Sequence, residues 1–200
     1  TYSSVAHYSS GGGAGGQNFI YFDKEMESEI IEFTNIADFT KFTNGILNSK
    51  LIQKYIFDGQ YNQLSTAKIG DIPFISIKSI RKNKLFNELL QKIDFISEHN
   101  IALDKIVVDF QNYLKTKYSL ILNESIMDDT FDLIELFTKN KIKLTISEEA
   151  EWIKYYSEIK NKVKNLKDEI YQSNKDIDLI VYELYGLSKK EINLMENANA

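Results

Sequence analysis

The sequence predicts an α+β chain, predominantly α: a small mixed domain of short strands plus helix over residues 1–80, then a long antiparallel coiled-coil-like helical hairpin over residues 81–200. Two apolar seams of matched length predict the hairpin, and a β-prone, glycine-interrupted N-terminal stretch predicts the strands. The seam formed by Trp152, Tyr156, Ile159, Val163, Leu166, Ile170, Ile177, Ile180 and Leu184 recurs at alternating steps of four and three, with Ser173 as its one break. On a straight helix it spans ~48 Å at ~1.5 Å per residue, which calls for a partner helix. Phe86, Leu89, Ile93, Ile96, Leu103, Val107, Phe110 and Leu114 supply that partner, with Asn100 as the polar residue in their rhythm.

From the N-terminus, Thr1 to Tyr8 alternates aromatic, small and β-branched residues, and Asn18 to Phe22 is β-prone. Both read as short strands around the loop Ser9-Ser10-Gly11-Gly12-Gly13-Ala14-Gly15-Gly16. Phe39, Phe42, Ile46, Leu47, Leu51, Ile52 and Tyr55 stand at helical spacing from Asp38 to Phe57, and Asp58-Gly59 closes that helix. Pro73, the single proline, follows an extended-looking Ile69 to Ile72 and stops any helix from running through. The seams place the long helices at 85–117 and 150–185, with Phe86 near Leu184 and Leu114 near Trp152, and Gly186 ends the second. A shorter amphipathic helix is expected from about Asp129 to Thr138.

An apolar content of 43% is enough for a real core, and the absence of cysteine excludes disulfides and thiolate chemistry. No apolar run approaches the ~20 residues of a membrane span. Nothing at the N-terminus resembles a signal peptide, so a soluble, cytoplasmic chain is expected. Thr1 reads as mid-strand without an initiator methionine, which suggests a piece cut from a larger protein. The net charge of −5 opposes nucleic-acid binding, but it is uneven: −2 over residues 1–80, +2 over 81–120 and −5 over 121–200.

Four stretches carry a family resemblance. Asp178-Leu179-Ile180-Val181-Tyr182-Glu183-Leu184-Tyr185-Gly186-Leu187-Ser188-Lys189-Lys190-Glu191-Ile192, ending in Leu194-Met195-Glu196, resembles the C-terminal signature of bacterial type IIG restriction–modification enzymes and related adenine-specific DNA methyltransferases. Lys143-Leu144-Thr145-Ile146-Ser147-Glu148-Glu149-Ala150-Glu151-Trp152 is similar to that family's lead into its last long helix, and Phe110-Gln111-Asn112-Tyr113-Leu114-Lys115 to the end of its first. Gly45-Ile46-Leu47-Asn48-Ser49-Lys50-Leu51, followed by Leu64-Ser65-Thr66-Ala67-Lys68-Ile69-Gly70-Asp71-Ile72-Pro73, resembles a run inside its target recognition domain. The resemblance covers roughly residues 40 to 196 and implies a DNA target recognition domain at 1–80 with a helical spacer and scaffold at 81–200. It also implies double-stranded DNA and the methyltransferase domain of the same polypeptide as partners. S-adenosylmethionine would then be a cofactor of the parent enzyme, with none in this fragment. The alternative is a coiled-coil protein–protein interaction module with no DNA role.

Candidate DNA-binding residues follow from their chemistry. Ser9, Ser10, Gln17 and Asn18 flank the glycine loop with groups that read base edges, and Gln60, Asn62 and Gln63 could bind adenine edges bidentately. Ser65, Thr66 and Lys68 can offer two hydroxyls and an ammonium to a phosphate. Lys78, Arg81, Lys82 and Lys84 cluster at the start of the first long helix, where they either touch phosphate or form a solvated helix start. Asn48 and Ser49 could face DNA or cap and pack within the domain.

Catalysis has little support. The glycine loop is followed by Gln17-Asn18-Phe19 rather than by a Lys-Ser/Thr entering a helix, so it is not a Walker loop. Asn/Asp-Pro-Pro-Tyr/Phe, the amino-methylating motif, cannot occur with Pro73 alone. Glu158-Ile159-Lys160 has nuclease-like spacing, but Ile159 is a seam position, which makes the flanking charges a surface ion pair. His7 and His99 have no ligand-spaced neighbours.

Overall fold

The computed structural model describes residues 6–8, 18–20, 24–57, 75–80, 83–121 and 131–197. The protein is all-α, which corrects the α+β expectation and its mixed N-terminal domain. β1 (Ala6–Tyr8) and β2 (Asn18–Ile20) pair antiparallel with Ala6 opposite Ile20. Two strands of three residues have no sheet face to build a layer on. Among the described residues helices take the rest of the regular structure: α1 (Lys24–Phe33), α2 (Ile36–Leu47), α3 (Lys50–Phe57), α4 (Ile77–Ile80), α5 (Leu85–Tyr118), α6 (Leu133–Lys139), α7 (Ile146–Leu184) and α8 (Lys189–Asn197). The sequence from Lys24 to Phe33 is rich in glutamate and carries no glycine or proline, which favours helix over strand. The single helix expected from Asp38 to Phe57 is two, because the chain breaks at Asn48-Ser49.

Chain contacts divide the protein into residues 1–94 with 173–200, and residues 95–172. In the first unit Phe42 and Phe33 pack on Phe86 with ring centres 4.9 and 4.7 Å apart. Ile30, Phe39, Ile46, Ile52, Leu89, Val181 and Tyr182 complete a dry interior. Gly45 lets α2 approach α5: a Cβ there would lie 2.6 Å from Ile93 Cδ1. Phe86, expected beside Leu184, thus has its ring partners on α1 and α2.

In the second unit α5 and α7 run antiparallel, since His99 meets Glu169 at 2.9 Å while the Phe110 ring stacks on Tyr156 at 5.6 Å. Leu114 shares a core with Trp152, Tyr156, Ile159 and Val163, and α6 closes it with Leu133 and Phe137. Asn100 is exposed, so the polar residue in the α5 rhythm lies off the packed face. The buried line on α7 runs through Ser173 and Ile177 to Val181 and Tyr182 rather than through Ile180 and Leu184. Such a drift is expected of a 3.6-residue helix against a 3.5-residue repeat.

Local capping explains where these helices stop and start. Asp132 Oδ1 accepts from Ile134 N at 2.8 Å and Glu135 N at 3.0 Å, starting α6. Thr145 and Glu148 form a reciprocal capping box for α7: Thr145 N donates to Glu148 Oε2 at 2.8 Å, and Glu148 N to Thr145 Oγ1 at 3.3 Å. Ser188 and Glu191 repeat it for α8, with Ser188 N donating to Glu191 Oε2 at 2.7 Å. Between them, α7 ends in a Schellman turn with Gly186 at φ +67°, Gly186 N bonded to Glu183 O and Leu187 N to Tyr182 O, both at 3.0 Å. α6 ends the same way, but with Lys141 in the left-handed position at φ +56°.

Candidate functional site

Most of the expected DNA-contacting residues lie outside the described residues: Ser9, Ser10, Gln17, Gln60, Asn62, Gln63, Ser65, Thr66, Lys68, Arg81 and Lys82. Asn18 heads β2 opposite Tyr8, and Lys78 belongs to the short α4. Lys84 is exposed, one turn before Glu88, whose carboxylate it meets at 3.4 Å. The Asn48 and Ser49 side chains both bond to the local backbone: the exposed Asn48 Nδ2 donates to Asn44 O at 2.8 Å and the buried Ser49 Oγ to Ile46 O at 2.6 Å. In the nuclease-like triplet Ile159 is buried and the Lys160 ammonium lies over the Tyr156 ring at 5.8 Å. Among the described residues no three His, Asp or Glu side chains converge as a metal centre requires.

The first unit holds a polar joint at the start of α3. The Lys50 backbone N–H donates to Asp178 Oδ1 on α7, and its ammonium donates to Glu196 Oε2 on α8, both at 2.7 Å. Tyr182 Oη donates to the other Glu196 oxygen at 2.7 Å. Burial and the neighbouring Glu196 carboxylate raise the Tyr182 pKa, so this phenol stays a donor. The bonds from Lys50 and Tyr182 hold Glu196 below the usual carboxylate range. Asp178 is pushed up by burial, although the Lys50 amide opposes this. One turn on, the Tyr185 hydroxyl is buried with no partner among the described residues, and burial pushes its pKa up to about 12. The joint is structural: it caps α3 and fastens α8, which buries no residue completely.

The second unit carries an aromatic groove that sequence reasoning missed. Tyr113, Trp152 and Tyr155 wall a cavity of about 450 Å³ with Lys117, Glu148 and Glu151 around it. Trp152 is its nearly buried floor, fixed by a 3.0 Å bond from Nε1 to Tyr118 Oη, and Tyr113 and Tyr155 are each 46% exposed. The Lys117 ammonium sits 5.3 Å from the Tyr118 ring centre and 5.7 Å from those of Tyr113 and Trp152. The Tyr118 and Tyr113 hydroxyls beside it raise its pKa, despite some desolvation. A signal was present: Tyr113 and Lys117 stand one turn apart, as do Trp152 and Tyr155, and both pairs cluster on a helix surface.

These features define an all-α module in which long antiparallel helices carry a fastened terminal helix at one site and an aromatic groove at another. The chain belongs to the family described as Domain of unknown function (DUF8810), which matches residues 81–181. No curated protein and no solved structure matches it. No helix among the described residues is long and apolar enough to cross a membrane.

Proposed function

We propose that this chain is the DNA target recognition and spacer module of a restriction–modification adenine methyltransferase. The observation that carries the reading is the polar joint. Two stretches that resemble that family, Gly45 to Leu51 and Asp178 to Glu196, lie far apart in sequence, and Lys50 bonds directly to Asp178 and to Glu196. Residues that depend on one another physically are expected to recur together, so the two resemblances support a single shared architecture. In this reading the long helices set the distance between recognition residues and a methyltransferase domain of the same polypeptide, which binds S-adenosylmethionine and the flipped adenine. The recognition residues are those at 60–84 and around the glycine loop; this chain performs no chemistry itself.

The test is titration of the whole chain with duplex DNA at two salt concentrations. Weak, steeply salt-dependent binding is expected, with a log–log slope that falls by about one for each phosphate contact removed in Lys78→Ala, Arg81→Ala, Lys82→Ala and Lys84→Ala. Gln63→Ala or Asn18→Ala in the parent enzyme relaxes base choice instead. Binding that ignores all these changes returns the chain to the protein-interaction reading. That alternative draws on exposed apolar residues spaced two turns apart, Ile101 with Val108 and Ile146 with Ile153.

A further inference from the structure

The groove of Tyr113, Trp152 and Tyr155 has no part in the joint or in the recognition residues, and its chemistry points to a cation. Tyr113 and Trp152, with the neighbouring Tyr118, present their rings to an ammonium already in place, that of Lys117, which holds this position although its own side chain is exposed. Ring faces attract cations through their quadrupole, and the attraction grows where water is displaced. Both acidic residues at the groove add to that field. The Glu148 carboxylate is fixed in place by Thr145 N and Oγ1 at 2.8 and 2.9 Å, and Glu151 is exposed and bonded to no side chain among the described residues. A phosphate-bearing ligand would meet two carboxylates for one lysine and is disfavoured.

We propose that this groove docks a basic segment of a partner protein, whose arginine side chain displaces Lys117, stacks on Tyr113 and Trp152 against the Tyr155 wall, and donates to Glu151. Arginine suits it better than lysine because a planar guanidinium can stack on rings while its fork bonds a carboxylate. Lys117 is then an internal competitor that keeps the empty rings covered.

Trp152 is the sole tryptophan, so its fluorescence in the full chain reads the groove directly. Titration with an arginine oligopeptide is expected to give a saturable change that a glutamate oligopeptide does not. Tyr155→Ala and Glu151→Gln should each weaken binding roughly twofold to fivefold. Lys117→Ala should strengthen it about threefold, by removing the competitor. Absence of a saturable change overturns the proposal. So does loss of binding in Lys117→Ala, or a Trp152 fluorescence change that saturates at lower concentrations of a single-stranded oligonucleotide than of the peptide, since either would make the groove an anion site. All three side chains are exposed, so far-UV circular dichroism should be unchanged. If Tyr155→Ala fails to fold, the other two variants still decide.

Discussion

In residues 95–172 the helices are joined by rings: Phe110, Phe137, Trp152 and Tyr156 meet at 5.3–6.4 Å with aliphatic neighbours around them. In residues 1–94 with 173–200 an equally dry interior is finished by a carboxylate shared between a lysine and a tyrosine. The first arrangement rests on non-directional burial with the Trp152–Tyr118 hydrogen bond inside it, whereas the second works only with each proton in its place. Burial therefore sets the scale of stability in both units, and directional bonds decide how the terminal helix is held in one.

The largest effect should come from breaking the ring-built core. Ile159→Asp places an unpaired carboxylate among Tyr156, Val163 and Phe110 and is expected to cost on the order of 3–5 kcal/mol, while the exposed Glu158→Ala changes ~1 kcal/mol or less. Thermal melts followed by Trp152 fluorescence compare the two, and equal shifts would mean that the packed face is assigned wrongly.

Next is a contrast within the polar joint. Tyr182→Phe deletes the donor to Glu196 and should cost roughly 1–1.5 kcal/mol. Tyr185→Phe removes a buried hydroxyl without a described partner and should be neutral or stabilising by about 1 kcal/mol. Chemical denaturation read by far-UV circular dichroism separates them; a larger loss in Tyr185→Phe would refute the assignment of an unpartnered hydroxyl.

Titration sharpens the same contrast. Glu196 has a lowered folded pKa, so its contribution is present above its ordinary 4.5 and is lost as pH falls through the lowered value. Asp178 has a raised folded pKa, so its contribution is full below its ordinary 3.8 and is lost as pH rises through the raised value. Stability measured against pH should thus lose an acid-side decline in Glu196→Gln, by less than ~1 kcal/mol for a carboxylate this exposed. Asp178→Asn, which keeps an acceptor for Lys50 N, should raise stability at neutral pH. Opposite signs would refute the burial assigned to these two groups.

The smallest change concerns α6. Lys141→Gly relieves a left-handed backbone at a Schellman turn and should stabilise by about 0.5–1 kcal/mol, visible as a small upward shift in Tm.

Periodicity made the long helices legible because a repeat over dozens of residues outweighs local exceptions. It could not reveal where the buried face drifts toward Val181 and Tyr182, since that depends on how the first unit packs. Alternation near the N-terminus suggests a mixed domain, but among the described residues pairing there extends for three residues per strand. Thr145-x-x-Glu148 and Ser188-x-x-Glu191 are capping boxes readable in sequence, and both lie inside stretches that carry the family resemblance. Part of that resemblance therefore reflects how helices begin. The bond from Lys50 to Asp178 joins residues 128 apart, beyond the reach of any local pattern.

That separation also orders the protein's assembly. Residues 95–172 form a unit from one continuous stretch, whereas the other unit needs both sides of the chain. Lys50 leaves the ribosome 146 residues before Glu196 does, an interval of roughly 7–30 s at ~5–20 residues per second. α3 lacks its cap until Asp178 follows 128 residues behind, and its anchor until Glu196 does. The helices that follow can pair first, so residues 24–57 are made before residues 95–172 and completed after them.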